Sequence, residues 1–234
     1  MENDSGLKKI FVAALLGMLS LGPVFAMPDR SWGQSSGPGV WNFLDFGNWD
    51  VSSLDAGTVF RNLPALAPGA TPPQIYGTNR WNKFMNNGWG MGVGVGYWFN
   101  DHVALRLEAQ GNMFINTIGS FGGLASIPLT GGIEVKLLGN DDTFLYMVAD
   151  AGGAYEVDMQ TPPFFYRVNS SGNAWSPYGD AGIGVNIYFF FIEVKVAALP
   201  DALPNVVLAH PTSPATGLSQ SAFWYIPVTG GFNF

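Results

Sequence analysis

The sequence predicts an all-β fold, an eight-stranded antiparallel transmembrane β-barrel with short periplasmic turns and longer external loops. Three observations predict it. Apolar residues alternate with polar or glycine residues at a strict period of two along most of the chain. Short and long links between the alternating segments follow one another in turn. The composition is also poor in charge, with 12% of the 234 residues Asp, Glu, Lys or Arg, about half the usual 25%. A soluble surface needs more. Glycine, at 31 residues, is nearly twice its usual share of about 7%, and aromatics reach 15%.

The chain opens on a different pattern. Lys8 and Lys9 precede an apolar run over residues 10–21, a break at Gly22-Pro23, and then Val24-Phe25-Ala26. That is the order of a secretory signal, with cleavage expected after Ala26. The run is too short for a spanning helix, which needs about 20 apolar residues. The expected organisation is therefore a signal peptide over 1–26, a periplasmic leader, plug or arm over 27–51, and the barrel over 52–234. Removing 1–26 takes two bases and two acids, so the net charge stays −7. That acidity argues against nucleic acid as a partner, since phosphates require clustered Lys and Arg. The chain has no Cys, so neither a lipoprotein anchor nor a disulfide framework is available to it.

The strands follow in order. A weak first strand is expected over 52–60. Residues 88–99 read GWGMGVGVGYWF, with Trp89, Met91, Val93, Val95, Tyr97 and Phe99 on one face and five glycines on the other. Asn100-Asp101 is a tight polar turn into 102–113. There Val103, Leu105, Leu107 and Ala109 alternate with Ala104, Arg106, Glu108 and Gln110. Several of these are helix formers, but a helix needs apolar spacings of three and four. Leu129, Gly131, Ile133, Val135 and Leu137 then alternate with Thr130, Gly132, Glu134 and Lys136, ending at the turn 139–142. Leu145, Met147, Ala149 and Ala151 lie opposite Val148, Asp150, Gly152 and Ala154. Two tightly joined strands over 177–189 and 190–199 and a last strand over 222–234 bring the count to eight.

The links at 61–87, 114–123, 158–175 and 200–221 are long and hold most of the prolines. Short turns on one side and long loops on the other are how transmembrane barrels are built. A soluble ligand-binding barrel also alternates, with its apolar face inward. Against it, the second face here is mostly Gly, Ala, Thr and Asn, which suits a narrow packed interior. Aromatics also cluster at strand ends: Tyr97–Phe99, Phe144, Tyr146, Tyr188–Phe191, Phe232 and Phe234 at one rim, and Trp89, Phe114, Tyr155, Trp175, Tyr178 and Trp224 at the other. Two such belts are what membrane interfaces select.

The last strand ends on Phe234, with Trp224, Ile226, Val228 and Phe232 at alternate positions and Gly230 departing from the pattern. It resembles the closing strand of the outer-membrane β-barrel proteins of Gram-negative bacteria. The segment over 90–113, a glycine-rich strand, a polar turn and the alternating LRLE strand, is similar to the small OmpA- and opacity-type barrel domain. The resemblance implies location in the outer membrane among its lipids. It also implies that Trp224, Ile226, Val228, Phe232 and Phe234 form the signal read by the barrel-assembly machinery. Pro227 fits a closed barrel only through a local bulge or a fray, since it has no N–H for the ladder.

Chemistry is sparse. His210 and Ser213 lie in a proline-bounded loop, where no rigid strand presents a nucleophile to its base. Asp141-Asp142 reads as turn chemistry. The glycines near Gly90-Met91-Gly92 are followed by a strand where a phosphate loop needs a helix. Neither a metal nor a cofactor is expected. The principal constellation is on the inward face: Arg106, Lys136 and Lys195 with Glu108, Glu134, Asp150, Glu156, Asp180 and Glu193. Eight strands enclose room only for side chains, so these charges are expected to fill the lumen by pairing. The expected function is that of an integral outer-membrane barrel, not an enzyme, with a structural or surface-interaction role. Loops 61–87, 158–175 and 200–221 would meet any surface ligand. The alternatives are a passive small-solute pore and a lipid A-modifying enzyme using His210.

Overall fold

The structure, a computed structural model, describes residues 36–52, 85–115, 123–158, 165–167, 173–200, 206–208 and 222–234. Eight strands form a closed barrel: β1 (Trp41–Val51), β2 (Gly88–Trp98), β3 (Val103–Ile115), β4 (Gly123–Gly139), β5 (Thr143–Asp158), β7 (Asn173–Ile187), β8 (Phe190–Leu199) and β10 (Phe223–Asn233). The neighbours run β1-β10-β8-β7-β5-β4-β3-β2 and back to β1, with every pair antiparallel. Closure leaves no sheet edge unpaired. No described helix is long and apolar enough to cross a membrane.

The barrel begins earlier than the sequence reading placed it. The first strand of the closed barrel is Trp41–Val51, inside the segment expected to be a leader or arm; of the strand expected over 52–60, all but Ser52 lies outside the described residues. The alternation of Trp41–Val51 is masked because Leu44 and Phe46 point inward while Asp45 and Gly47 point outward. Pairing to both β2 and β10 nonetheless fixes its register. The expected signal peptide over 1–26 and the loop pair His210 and Ser213 also lie outside the described residues.

The short connections sit at one end, together with the start of β1 and the C-terminus. Two of them share one device. The Asn100 side-chain oxygen accepts from the N–H groups of His102 and Val103 at 2.8 and 2.9 Å, and Asn140 does the same for Asp142 and Thr143 at 3.0 and 2.7 Å. An Asn carbonyl thus stands in for the turn's missing backbone acceptors. At the other end a small sheet pairs β6 (Phe165–Arg167) with β9 (Val206–Leu208) and so ties two long links together. The sequence reading had no strand there.

The alternation sorts the faces. Leu105, Leu107, Ile133, Met147, Ile183, Ile192 and Val194 are exposed on the outside, while Arg106, Glu108, Asp150, Glu193 and Lys195 are buried inside. This is the reverse of a soluble core. The aromatic belts need correction. Trp41, Phe99, Tyr188, Phe189, Phe232 and Phe234 are exposed at the short-turn end, and Trp49, Trp89, Trp175 and Trp224 at the other. Trp98, Phe144, Tyr146, Phe191, Phe114 and Tyr178 are instead buried in the bore. Position along a strand gives the height of a ring, but its parity decides the face. Phe144 and Tyr146 share parity with Asp150, so they point in.

The glycine face of β2 has a purpose. A Cβ at Gly92 would lie 2.6 Å from the Phe46 ring, so only glycine lets that ring lie across the bore. Pro227 is accommodated without a bulge. Pairing of β10 with β8 lapses at Ile226 and Pro227 and resumes at Val228 in the same register, while Pro227 stays opposite Asp50 on β1.

Candidate functional site

The site is the bore itself, and the barrel's registers bring its charges together. Arg106 on β3 donates to Glu193 on β8 at 2.6 Å and to Glu134 on β4 at 3.3 Å, and pairs with Glu108 beside it. Lys195 on β8 lies 3.1 Å from Asp150, 3.3 Å from Glu108, 3.4 Å from Glu193 and 3.5 Å from Asp180. Because β3 and β8 are not neighbours in the barrel, these bonds cross the lumen. Two cations and five carboxylates therefore form one buried network, in which Glu108 and Glu193 each touch both cations. Isolated charges in such a space would be very costly, and mutual pairing is what makes the burial tolerable.

Two of the nine expected charges stand apart. Lys136 is near the short-turn end, where it donates to Asp141 Oδ1 at 2.9 Å and to Ser36 Oγ at 3.0 Å. Its ammonium also lies over the rings of Trp98 and Phe144, at 5.9 and 5.4 Å. The Lys136 hydrogen bond is the main reason the Asp141 carboxyl, in its exposed turn, titrates below its ordinary value of 3.8. Glu156 sits toward the long-loop end and accepts from Ser126 at 2.9 Å and Ser176 at 3.5 Å. The charges thus occupy three levels, not one.

A polar chain that sequence reasoning missed extends the central network toward the long loops. Tyr178 OH donates to Asp180 at 2.8 Å and meets Tyr225 OH at 3.5 Å, and Tyr225 OH accepts from Asn112 at 3.2 Å. The Asn112 oxygen accepts from Gln110 at 2.7 Å and from Asn48 at 3.2 Å, and Asn48 also donates to Asp50 at 2.6 Å. Tyr146 OH donates to Glu193 at 2.8 Å on the other side. Parity on their own strands with Arg106, Asp150 and Asp180 finds Asn112, Tyr146 and Tyr178, and the outward Trp224 and Ile226 leave Tyr225 facing in. Asn48 and Asp50 were hidden with the misplaced first strand.

Rings lie in the bore on either side of the charges. Trp98 on β2 meets Phe144 on β5 edge-on at 5.6 Å, in a cluster with Ala104, Tyr146 and Val148. Toward the long loops, Phe114 on β3 packs against Phe223 and Tyr225 on β10 at 5.1 and 4.9 Å. Below the short-turn end, Gly39 N–H donates to the Trp98 carbonyl and Trp98 N–H to that of Val40, at 2.8 and 2.9 Å. This pins residues 36–40 under the Trp98 cluster, against which Val40 also packs. No group of three or more His, Asp or Glu among the described residues is arranged to hold a metal ion. The arrangement can hold strands together through their interior.

The expected closing strand is present. Phe43 and Phe234 exchange backbone hydrogen bonds, each at 2.9 Å, so the C-terminal aromatic seals the seam between first and last strands. Trp224, Phe232 and Phe234 are exposed on the outside, with Ile226 and Val228 half-buried on the same face.

No protein-family model matches the chain, and no curated protein sequence matches it. Among solved structures the chain is similar to the outer membrane protein OprG from Pseudomonas aeruginosa, at 14% identity over 88% of this chain and 99% of that one, with a TM-score of 0.47. It is also similar to Ail, the attachment invasion locus protein of Yersinia pestis, at 14% identity over 85% and 99%, with a TM-score of 0.37. A third is the outer membrane protein AlkL in lipid bilayers, at 11% identity over 90% and 95%, with a TM-score of 0.39. Likeness at this level leaves the chemistry to be read from this chain's own residues.

Proposed function

We propose that this chain is an integral outer-membrane barrel whose bore is a sealed, ion-paired strut, with a structural or surface-interaction role carried by its long loops. One observation carries the reading: an uncovered apolar exterior surrounds a buried, charged interior. In water that arrangement exposes far more apolar surface than a monomer keeps. In a bilayer it places each face in the solvent it matches, with aromatic rings at both interfaces. The two ring layers and the cross-lumen ion pairs favour a strut over a solute pore.

Leu107 tests the membrane reading. It is 62% exposed and pairs with Val95 and Gly131 in the body of the wall. In equilibrium refolding into lipid vesicles, Leu107→Arg is expected to cost about 2–4 kcal/mol, the mid-bilayer value. A cost no larger than that of Arg at exposed Asp101 would refute a lipid-facing wall.

A further inference from the structure

The outside of the wall is apolar with one exception. Among the described residues, Asp45 on β1 is the only Asp, Glu, Lys or Arg on the outer face of the barrel strands. It lies four positions from Trp41 and four from Trp49 on the same face, opposite Phe232 on β10 and Val93 on β2. A carboxylate on a lipid-facing wall is costly in a bilayer, and such residues pair with an opposite charge or mark a functional path. The wall offers Asp45 no cation, since Lys136, Lys195 and Arg106 all point into the bore.

The surface beside it is bare backbone. Gly47, the next outward residue on β1, is paired with Gly230 on β10. A Cβ on Gly47 would meet nothing nearer than the Gly90 carbonyl at 3.8 Å, and one on Gly230 nothing nearer than the Phe191 carbonyl at 4.0 Å. The steric reason for glycine that holds at Gly92, which faces into the bore, is therefore absent here. The paired glycines leave a shallow notch bounded by Trp49, Val228 and Phe232. Small residues in a membrane let another backbone come close, and a polar side chain beside them adds a directional bond.

Resting on the membrane reading above, we propose that Asp45 and the Gly47–Gly230 notch form a contact surface, within the bilayer, for a membrane-spanning segment of another protein that presents a lysine or arginine. Charge complementarity selects that occupant. A second copy of this chain brings another Asp45 and, among its described outward residues, no cation to meet it. A lipid ammonium brings a charge but no backbone to lie in the Gly47–Gly230 notch, which a protein segment can fill.

The test reconstitutes the full chain in phosphatidylcholine vesicles with a synthetic membrane-spanning Leu/Ala peptide carrying one Lys at matching depth. Association is read by energy transfer between labels. Insertion of each barrel variant is checked by its protection from protease, so failure of the membrane reading shows as failure to insert. The Lys peptide is expected to bind the wild type roughly tenfold more tightly than it binds Asp45→Asn, the scale of one polar bond made in lipid. Gly47→Leu should weaken binding while leaving insertion intact, and the same peptide with Leu in place of Lys should not discriminate. Equal binding of the Lys peptide to inserted wild type and Asp45→Asn would overturn the proposal. So would energy transfer between barrels that depends on Asp45, which would make the face a self-contact. In a parallel set of vesicles doped with phosphatidylethanolamine, retention of that lipid in preference to the Lys peptide would overturn it in favour of a lipid site.

Discussion

Arg106 and Glu193 meet across the barrel interior at 2.6 Å, from strands β3 and β8 that share no edge. The backbone ladder holds each strand only to its two neighbours. This pair and its partners on β4, β5 and β7 brace opposite walls against each other.

Removing a hub of that brace should therefore cost far more than removing a surface ion pair. Arg106→Met leaves Glu108, Glu134 and Glu193 with less compensation in a buried space. The expected loss is about 3–5 kcal/mol in denaturant unfolding from lipid vesicles. Arg106→Lys should recover only part of it, since an ammonium cannot hold three carboxylates with a fork of donors. A loss below about 1 kcal/mol would place the network among inert surface pairs.

Asp141 gives a pH signature of the short-turn end. Its carboxyl titrates below its ordinary value of 3.8 in the fold, chiefly through the Lys136 hydrogen bond. A lowered folded value means the unfolded chain binds the proton more readily. The stabilisation is then complete above the ordinary value and is lost as pH falls below it through the folded value. The group is exposed, so the effect should be well under about 1 kcal/mol. Comparing unfolding midpoints from pH 6 down to about pH 2, Asp141→Asn should lose slightly at pH 6 and converge on wild type in acid. A constant gap across that range would contradict the assignment.

Two glycines separate packing from backbone freedom. Gly92→Ala drives a methyl into the Phe46 ring and should cost about 1–3 kcal/mol as overpacking. Gly230→Ala brings a methyl no nearer than 4.0 Å to the Phe191 carbonyl and should stay within about 0.5 kcal/mol. Equal costs in vesicle refolding would mean the bore is looser around Phe46 than its geometry shows.

Alternation made most of this legible. The period of two in 103–110 and 129–137 put Arg106, Glu108, Glu134 and Lys136 on one face, and the link lengths gave the strand count. Three things were not legible. Trp41–Val51 carries apolar residues on both faces, so its pattern reads as irregular. Cross-lumen partners such as Arg106 and Glu193 depend on how the barrel closes, which no single strand encodes. Height along the strand suggests a rim position for Phe144 and Tyr146, whereas parity with Asp150 turns both into the bore.

The C-terminal residue sits at the barrel's closing seam. Phe234 trades two backbone hydrogen bonds with Phe43 at the seam and places its ring on the outer face beside Phe232, at 6.1 Å. Deleting Phe234 should lower the outer-membrane yield severalfold, while Phe234→Tyr should preserve it. Normal yield of the truncated chain, measured by fractionation and immunoblot, would contradict a role for this residue in closure or assembly.

Single-channel recording of the purified barrel in planar bilayers tests the sealed bore most directly. The ring layers at Trp98–Phe144 and Phe114–Phe223, with the Arg106–Lys195 network between them, predict no steady conductance from the wild type. Occasional openings are expected once Arg106 or Lys195 is replaced by Ala. A steady, ohmic wild-type conductance would show that water runs through the bore, and the account of a braced, closed lumen would be wrong.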